Sequence, residues 1–175
     1  MKKNIKEEFD INIKDNFIEE KLYKLIYNKI PFYTYGEDYK YEEGDNTKEH
    51  LFYGSPVEKN VADYLRERCE KLYNKKFKEN YTAYTMVART TPMVHADIGA
   101  NCTHQVIVYI RGDESLHRGT GFYVNNNGNH ELNTHIGFKQ NRGIFWESSA
   151  YHSPLIWSDN NQSKRFSIIA QYKEI

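Results

Sequence analysis

A chain of 175 residues with 24 Lys and Arg against 24 Asp and Glu carries no net charge. That balance offers no basic footprint for nucleic acid, and the length suits one domain with a proper hydrophobic core. No apolar run approaches the roughly 20 residues that span a bilayer, and the opening MKKNIKEEFDINIKDNF lacks the apolar stretch of a secretory leader.

Cys69 and Cys102 make no disulfide framework; they read as a buried or an idle thiol, the first on a helical pattern and the second in a loop. The expectation is a cytoplasmic protein. Heavy use of Asn, Lys, Ile and Tyr points to an AT-rich bacterial or phage coding bias, which carries no chemistry.

In chain order, DNFIEEKLYKLIYNKI places Phe17, Ile18, Leu22, Leu25 and Ile26 on one helical stripe. Asn16 and Glu19 form a candidate capping box, and Pro31 is expected to stop the helix. Residues 32–54 have neither period and read as a loop with at most a short strand; whether they form a lid is open. In SPVEKNVADYLRERCEKLYNKKF, Ser55 as N-cap, Pro56 at the first helical position and Glu58 two further on predict a helix start. Its stripe is Val57, Val61, Tyr64, Leu65, Cys69 and Leu72.

From Tyr81 the pattern changes. YTAYTMVAR, HQVIVYI, GTGFYV, NTHIGF, RGIFWE and RFSIIAQY are short β-branched or aromatic runs separated by Gly, Asn and Asp. The reading is one domain over 1–175: a helical support region over 1–80 and a β core over 81–175, a sandwich or barrel with helices on one face.

Polar residues interrupt this core at informative places. His95 and Asp97 stand two apart just before HQVIVYI, a spacing that turns both side chains to one side of extended backbone. His152 lies at the end of a later β-like run. Two His and one carboxylate leave open positions on an octahedral metal, as Fe(II) oxygen chemistry needs; the set also suits Zn or Mn. In RFSIIAQY, Arg165 and Ser167 share one side and Phe166 and Ile168 the other. An inward Arg is costly without an anion, and a guanidinium beside a hydroxyl is a natural carboxylate clamp.

H-x-D, the later His152 and R-x-S together resemble the Fe(II)/2-oxoglutarate-dependent dioxygenase superfamily, and within it the prolyl-hydroxylase-like branch, over roughly residues 81–175. The resemblance implies a double-stranded β-helix (jelly roll) with N-terminal helices packed on one sheet. It implies His95, Asp97 and His152 as iron ligands, and Arg165 with Ser167 on the distal carboxylate of 2-oxoglutarate. Tyr109 takes the place of a tyrosine that often reaches the same carboxylate. O2 would be the co-substrate, and succinate and CO2 the products of hydroxylating a C–H bond in a peptide or a small molecule. The prime substrate itself is not named by these residues.

The chain departs from the family pattern in having Gly119-Thr120-Gly121 where Gly-Gly is frequent, and Arg89 where a cofactor-contacting Tyr is frequent, with Tyr84 a candidate substitute. Gln105 shares the inward parity of Tyr109. His117 and His135 read as solvated, and Trp146 as core. Arg89, Asn101 and Tyr151 are candidates for the substrate mouth. The competing readings are a non-catalytic or Zn-occupied jelly-roll (cupin-like) binding module, and a cupin-type metal hydrolase or isomerase, which needs no buried Arg165.

Overall fold

The computed structural model describes residues 9–35, 52–79, 82–88, 93–98, 101–156 and 165–175. In chain order these form β1 (Asn12–Asp15), α1 (Glu20–Tyr35), β2 (Phe52–Pro56), α2 (Lys59–Tyr73), β3 (Thr82–Ala88), β4 (His104–Arg111), β5 (Ser115–Asn126), β6 (Asn129–Phe138), β7 (Arg142–Glu147), β8 (Tyr151–Ile156) and β9 (Arg165–Tyr172). Antiparallel pairing builds a six-stranded sheet, β1-β7-β4-β9-β3-β2, and a three-stranded sheet, β6-β5-β8. Together they make the jelly roll, with both helices on the outer face of the larger sheet.

Strand parity decides what each side chain meets, because successive residues point to opposite faces. On β4, Val106, Val108 and Ile110 pack toward the helices; on β9, Phe166, Ile168, Ala170 and Tyr172 do the same. They meet Ile26 and Ile30 of α1, and Val61, Leu65 and Cys69 of α2. The opposite parity, Ile107 and Tyr109 of β4 and Ile169 of β9, turns inward onto Phe122, Ile136, Phe138, Ile144 and Trp146. Arg165 and Ser167 share that inward parity.

Three local expectations differ. Asn16 lies in the left-handed region (φ 53°) and α1 begins only at Glu20, so no Asn16 capping box forms. The chain's approach to α1 is held instead by the Asn141 side chain, which accepts from Ile18 N and donates to Ile18 O, each at 2.8 Å. Pro31 does not stop α1, which runs on to Tyr35. A proline that late forfeits one helical hydrogen bond, while the buried Ile26 and Ile30 anchor the turns before it. Ser55 and Pro56 do not start α2. They end strand β2, opposite Thr85 and Tyr84, and α2 begins at Lys59 after Glu58, which makes no side-chain cap. Pro56 fits there because β2 is an edge strand with one side of its ladder unused.

β1 was not expected from the sequence; it pairs with β7 at the other sheet edge. Most of residues 32–54 lie outside the described residues, and with them the question of a lid. No described helix is long and apolar enough to cross a membrane.

Candidate metal centre

NRGIFWESSAYHSPLI is not one run. A turn over 148–150 separates β7 from β8 and carries His152 onto a new strand, opposite Phe122 of β5. His95 forms an isolated antiparallel bridge with His152: His95 N donates to His152 O at 3.0 Å, and His152 N to His95 O at 2.8 Å. Two residues on, Asp97 N donates to Ser148 O at 3.0 Å. The loop carrying H-x-D is thus stitched to β8 and to the turn before it, and this brings three polar side chains to one point.

Their ligand atoms all lie within 4.8 Å of one another. His95 Nε2 is 3.9 Å and His152 Nε2 3.6 Å from the two Asp97 carboxylate oxygens. Each imidazole is oriented from behind: His95 Nδ1 donates to Met93 O and His152 Nδ1 to Ala150 O, both at 3.0 Å. A carbonyl only accepts, so the hydrogen of each ring sits on Nδ1 and the Nε2 lone pair faces the carboxylate. Burial pushes the His152 pKa well below the usual histidine range, and the nearby His95 pushes it the same way. The Nε2 edges of both rings and the Asp97 carboxylate therefore converge on one point, a set of ligand atoms that a cation would complete.

The Asp97 loop has a further brace. Cys102 Sγ lies 3.0 Å from Ser148 Oγ and 3.6 Å from Asp97 O. Cys102 is thus not idle, whereas Cys69 is a buried helix residue.

A cavity of about 180 Å3 opens from the three residues and is lined further by Tyr84, Gln105, Ile107, Thr120, Trp146, Pro154 and Ile169. The strand before H-x-D therefore does supply a tyrosine: burial and the Asp97 charge raise the Tyr84 phenol to about 12, which keeps it a neutral donor. Arg89 lies outside the described residues. Trp146 is core, as its sequence context implied, but its other face is a cavity wall.

Arg165, at 2% exposure, sits one layer beyond Thr120. Thr120 Oγ1 is 2.7 Å from the Tyr109 hydroxyl, and the Arg165 guanidinium lies 5.3 Å from the centre of the Tyr109 ring. Its Nη1 donates to Gly119 O, while Nε and Nη2, and the Ser167 hydroxyl, have no partner among the described residues. Burial pulls the Arg165 pKa down and raises that of Tyr109. The Nε–Nη2 edge of a guanidinium has the fork geometry that can receive a carboxylate side-on.

His117 is exposed as expected, but His135 is not solvated. It is half-buried, its Nε2 is sealed and without a partner among the described residues, and its pKa is lowered by burial and by the Arg165 charge. Its position opposite Gly121 on β6 could not be inferred before the β5–β6 register was known. Asn101 is an exposed left-handed turn residue (φ 50°). Tyr151 lies tilted against His130, with ring centres 4.8 Å apart, and lines a separate cavity that Trp146 also borders.

No family model matches the sequence, and no curated protein matches it. Solved structures do match by fold. A prolyl-4-hydroxylase from Pseudomonas putida superposes with a TM-score of 0.62 at 10% identity, covering 95% of this chain and 94% of that one. A prolyl hydroxylase from Trichoplax adhaerens, solved with a hypoxia inducible factor oxygen degradation domain peptide fragment, gives 0.60 at 13% identity over 94% and 83%. The non-heme alpha ketoglutarate dependent epimerase SnoN from nogalamycin biosynthesis gives 0.62 at 11% over 94% and 77%. The chain has the fold of the Fe(II)/2-oxoglutarate oxygenases, and within it a His-Asp-His cluster able to hold a metal ion.

Proposed function

We propose that the protein is an Fe(II)- and 2-oxoglutarate-dependent oxygenase that hydroxylates a C–H bond of a peptide or small molecule. The observation that carries this reading is a pair of unmet demands, one on the wall of the cavity and one behind its Thr120 side. At the cavity wall the ligand atoms of His95, Asp97 and His152 converge within 4.8 Å of one another. Beyond the Thr120 side the Arg165 guanidinium is buried with no anionic partner among the described residues. A divalent metal meets the first demand and a dicarboxylate meets the second; 2-oxoglutarate spans both.

In this reading His95, Asp97 and His152 are the metal ligands. Met93 O and Ala150 O fix the tautomer of each imidazole, and burial keeps His152 neutral so that it can ligate. Arg165 takes the distal carboxylate on its free Nε–Nη2 edge, with the Ser167 hydroxyl beside it. Tyr109 and Thr120 hold each other at the boundary, and Tyr109 reaches the same carboxylate if Thr120 donates to it. Ferrous ion and keto acid together supply O2 activation, coupled to decarboxylation to succinate and CO2. The protein's share is to orient them and keep the apolar walls Ile107, Ile169, Trp146 and Pro154 around them dry.

Hydroxylation is the reaction suggested by the two prolyl hydroxylases, yet an epimerase shares the fold, so the fold does not set the outcome at the substrate carbon. The test is an anaerobic titration with Fe(II) and then 2-oxoglutarate, followed in the visible. A charge-transfer band that needs both, and is absent in His95→Ala, supports the reading. No band, with Zn(II) held tightly instead, overturns it in favour of a Zn-occupied binding module.

A further inference from the structure

The cavity walls hold two more unmet groups, at the metal end. Gln105 and Trp146 are 1% and 2% exposed. Gln105 Nε2 and Trp146 Nε1 are sealed from solvent and have no acceptor among the described residues. The two residues are direct register partners across β4 and β7, so both side chains stand on the inward face, with Cβ atoms ~5 Å apart. Both line the cavity that contains His95, Asp97 and His152. The Trp146 ring stands edge-on to the His152 ring, with centres 5.1 Å apart.

Position along β4 separates this pair from the arginine. Gln105, Ile107 and Tyr109 follow one another down the inward face, so Gln105 and Tyr109 are ~13 Å apart along the strand. Tyr109 marks the Arg165 end; Gln105 marks the metal end. A buried N–H without an acceptor is costly, and native structures seldom keep one unless water or a ligand serves it. Two side by side, against one wall of a ligand cavity, call for an oxygen acceptor packed on that wall.

The chemistry of the donors narrows the choice. Both are neutral, which suits an oxygen whose negative charge a metal already balances and which needs orientation without another cation. Depth narrows it again. His95, 46% exposed, stands at the solvent side of the site, with the exposed Met93 and Ile98 flanking it. A prime substrate arriving there meets the H-x-D loop before it can reach groups that are almost wholly buried. In the oxygenase reading the molecule that fills the cavity is the keto acid.

We propose that Gln105 and Trp146 are positioning residues that hold the metal-chelating carboxylate of the keto acid with two neutral N–H donors, the Gln105 amide presenting its nitrogen. This rests on the oxygenase reading above. Arg165 would then govern one end of the co-substrate, and the Gln105–Trp146 pair the other.

The two ends can be tested apart by comparing 2-oxoglutarate with pyruvate, which keeps the chelating end and lacks the distal carboxylate. Each is titrated anaerobically into the Fe(II)-loaded protein and followed by its visible band. Gln105→Leu is expected to weaken both acids by about tenfold and to shift the band, as loss of a hydrogen bond to a charged oxygen would. Arg165→Leu is expected to weaken 2-oxoglutarate alone. Trp146→Phe keeps a ring against His152 and serves as the second variant should Gln105→Leu fold poorly, with unchanged Fe(II) affinity as the check on the site. If the parent shows the band and both variants bind both acids within twofold at an unshifted band, this assignment is overturned while the oxygenase reading stands. If the parent itself shows no band, both fall.

Discussion

His95 and His152 face each other across a single antiparallel bridge, exchanging backbone hydrogen bonds of 3.0 and 2.8 Å while their ring centres stand 4.6 Å apart. The bridge sets the spacing of two imidazoles before any ligand arrives, and Ser148 O fixes Asp97 beside them. Such a preformed set should gain stability from a metal in the folded state only. Mn(II), which is not oxidised in air, at 100 times its dissociation constant should add about 2.7 kcal/mol. For a chain of this size that is a rise in Tm of roughly 5–10 °C by thermal melting. Asp97→Ala should remove the shift. An equal shift in that variant would mean that the metal binds elsewhere.

Arg165 separates stability from function. Among the described residues the buried Arg165 guanidinium is bonded only to Gly119 O and meets no anion, and replacing buried ionic groups by apolar ones of similar size is often neutral or stabilising by about 1–4 kcal/mol. Arg165→Met should therefore leave the ligand-free protein at least as stable as the parent in chemical denaturation. It should also abolish the extra stabilisation that 2-oxoglutarate gives the metal-loaded parent. A loss of more than about 2 kcal/mol in the ligand-free protein would instead make Arg165 a structural residue.

Gly119 holds a different constraint. Its φ is 152°, and a Cβ placed there would lie 1.9 Å from Ile136 O, a backbone atom that cannot swing aside. Its own carbonyl is the acceptor for Arg165. Gly119→Ala should cost about 2 kcal/mol or more, since either the β5–β6 pairing opens or the strand shifts. The check is denaturant unfolding, alongside Gly128→Ala, where nothing lies within 4 Å of the added methyl. Gly128 also has positive φ (89°), so its backbone strain serves as the control for the clash. Equal losses at both positions would remove the steric account.

The inward parity of Arg165, Ser167 and Tyr109 was legible in the sequence because a two-residue period in a β-branched run leaves little freedom. The convergence of His95 and Asp97 was legible because residues two apart share one side of extended backbone. Helix starts were not. Ser55-Pro56 has the chemistry of a helix start, but Ser55 and Pro56 pair with Thr85 and Tyr84, and sheet hydrogen bonds outweigh a cap. Asn16 likewise looked like a cap, although the long-range clamp from Asn141 sets the approach to α1. The brace from Cys102 to Ser148, and the closeness of His135 to Arg165, depend on which strands become neighbours, and no local pattern encodes that.

Asp15 predicts an acid limb to the stability curve. Its carboxylate accepts from Arg142 Nε at 2.7 Å and from Lys139 Nζ at 2.7 Å, and these bonds lower its pKa to about 2. A carboxyl depressed on folding adds stability above its unfolded pKa near 4, and loses it as pH falls toward 2. The side chain is 36% exposed, so solvent screening keeps the contribution small. Asp15→Asn should flatten the fall in stability between pH 4 and about 2 and have its full cost at neutral pH. The same acid slope in parent and variant would assign that limb to other groups.

Cys102 should affect the metal through Asp97. Its thiol touches Ser148 Oγ and Asp97 O, and Ser148 O in turn receives Asp97 N. Partners one step removed from a ligand commonly change metal affinity by about 10–100-fold. Here the Asp97–Ser148 backbone bond survives loss of the thiol, so Cys102→Ala should fall at the low end, about tenfold weaker for Fe(II) by anaerobic titration. Ser148→Ala removes the other side of the same contact. If the contact acts as a unit, the double variant should be little worse than either single one, because two residues that share one interaction are not additive. Full additivity would mean that each residue steadies the loop on its own. Unchanged Fe(II) affinity in Cys102→Ala would mean that the backbone bond alone positions Asp97.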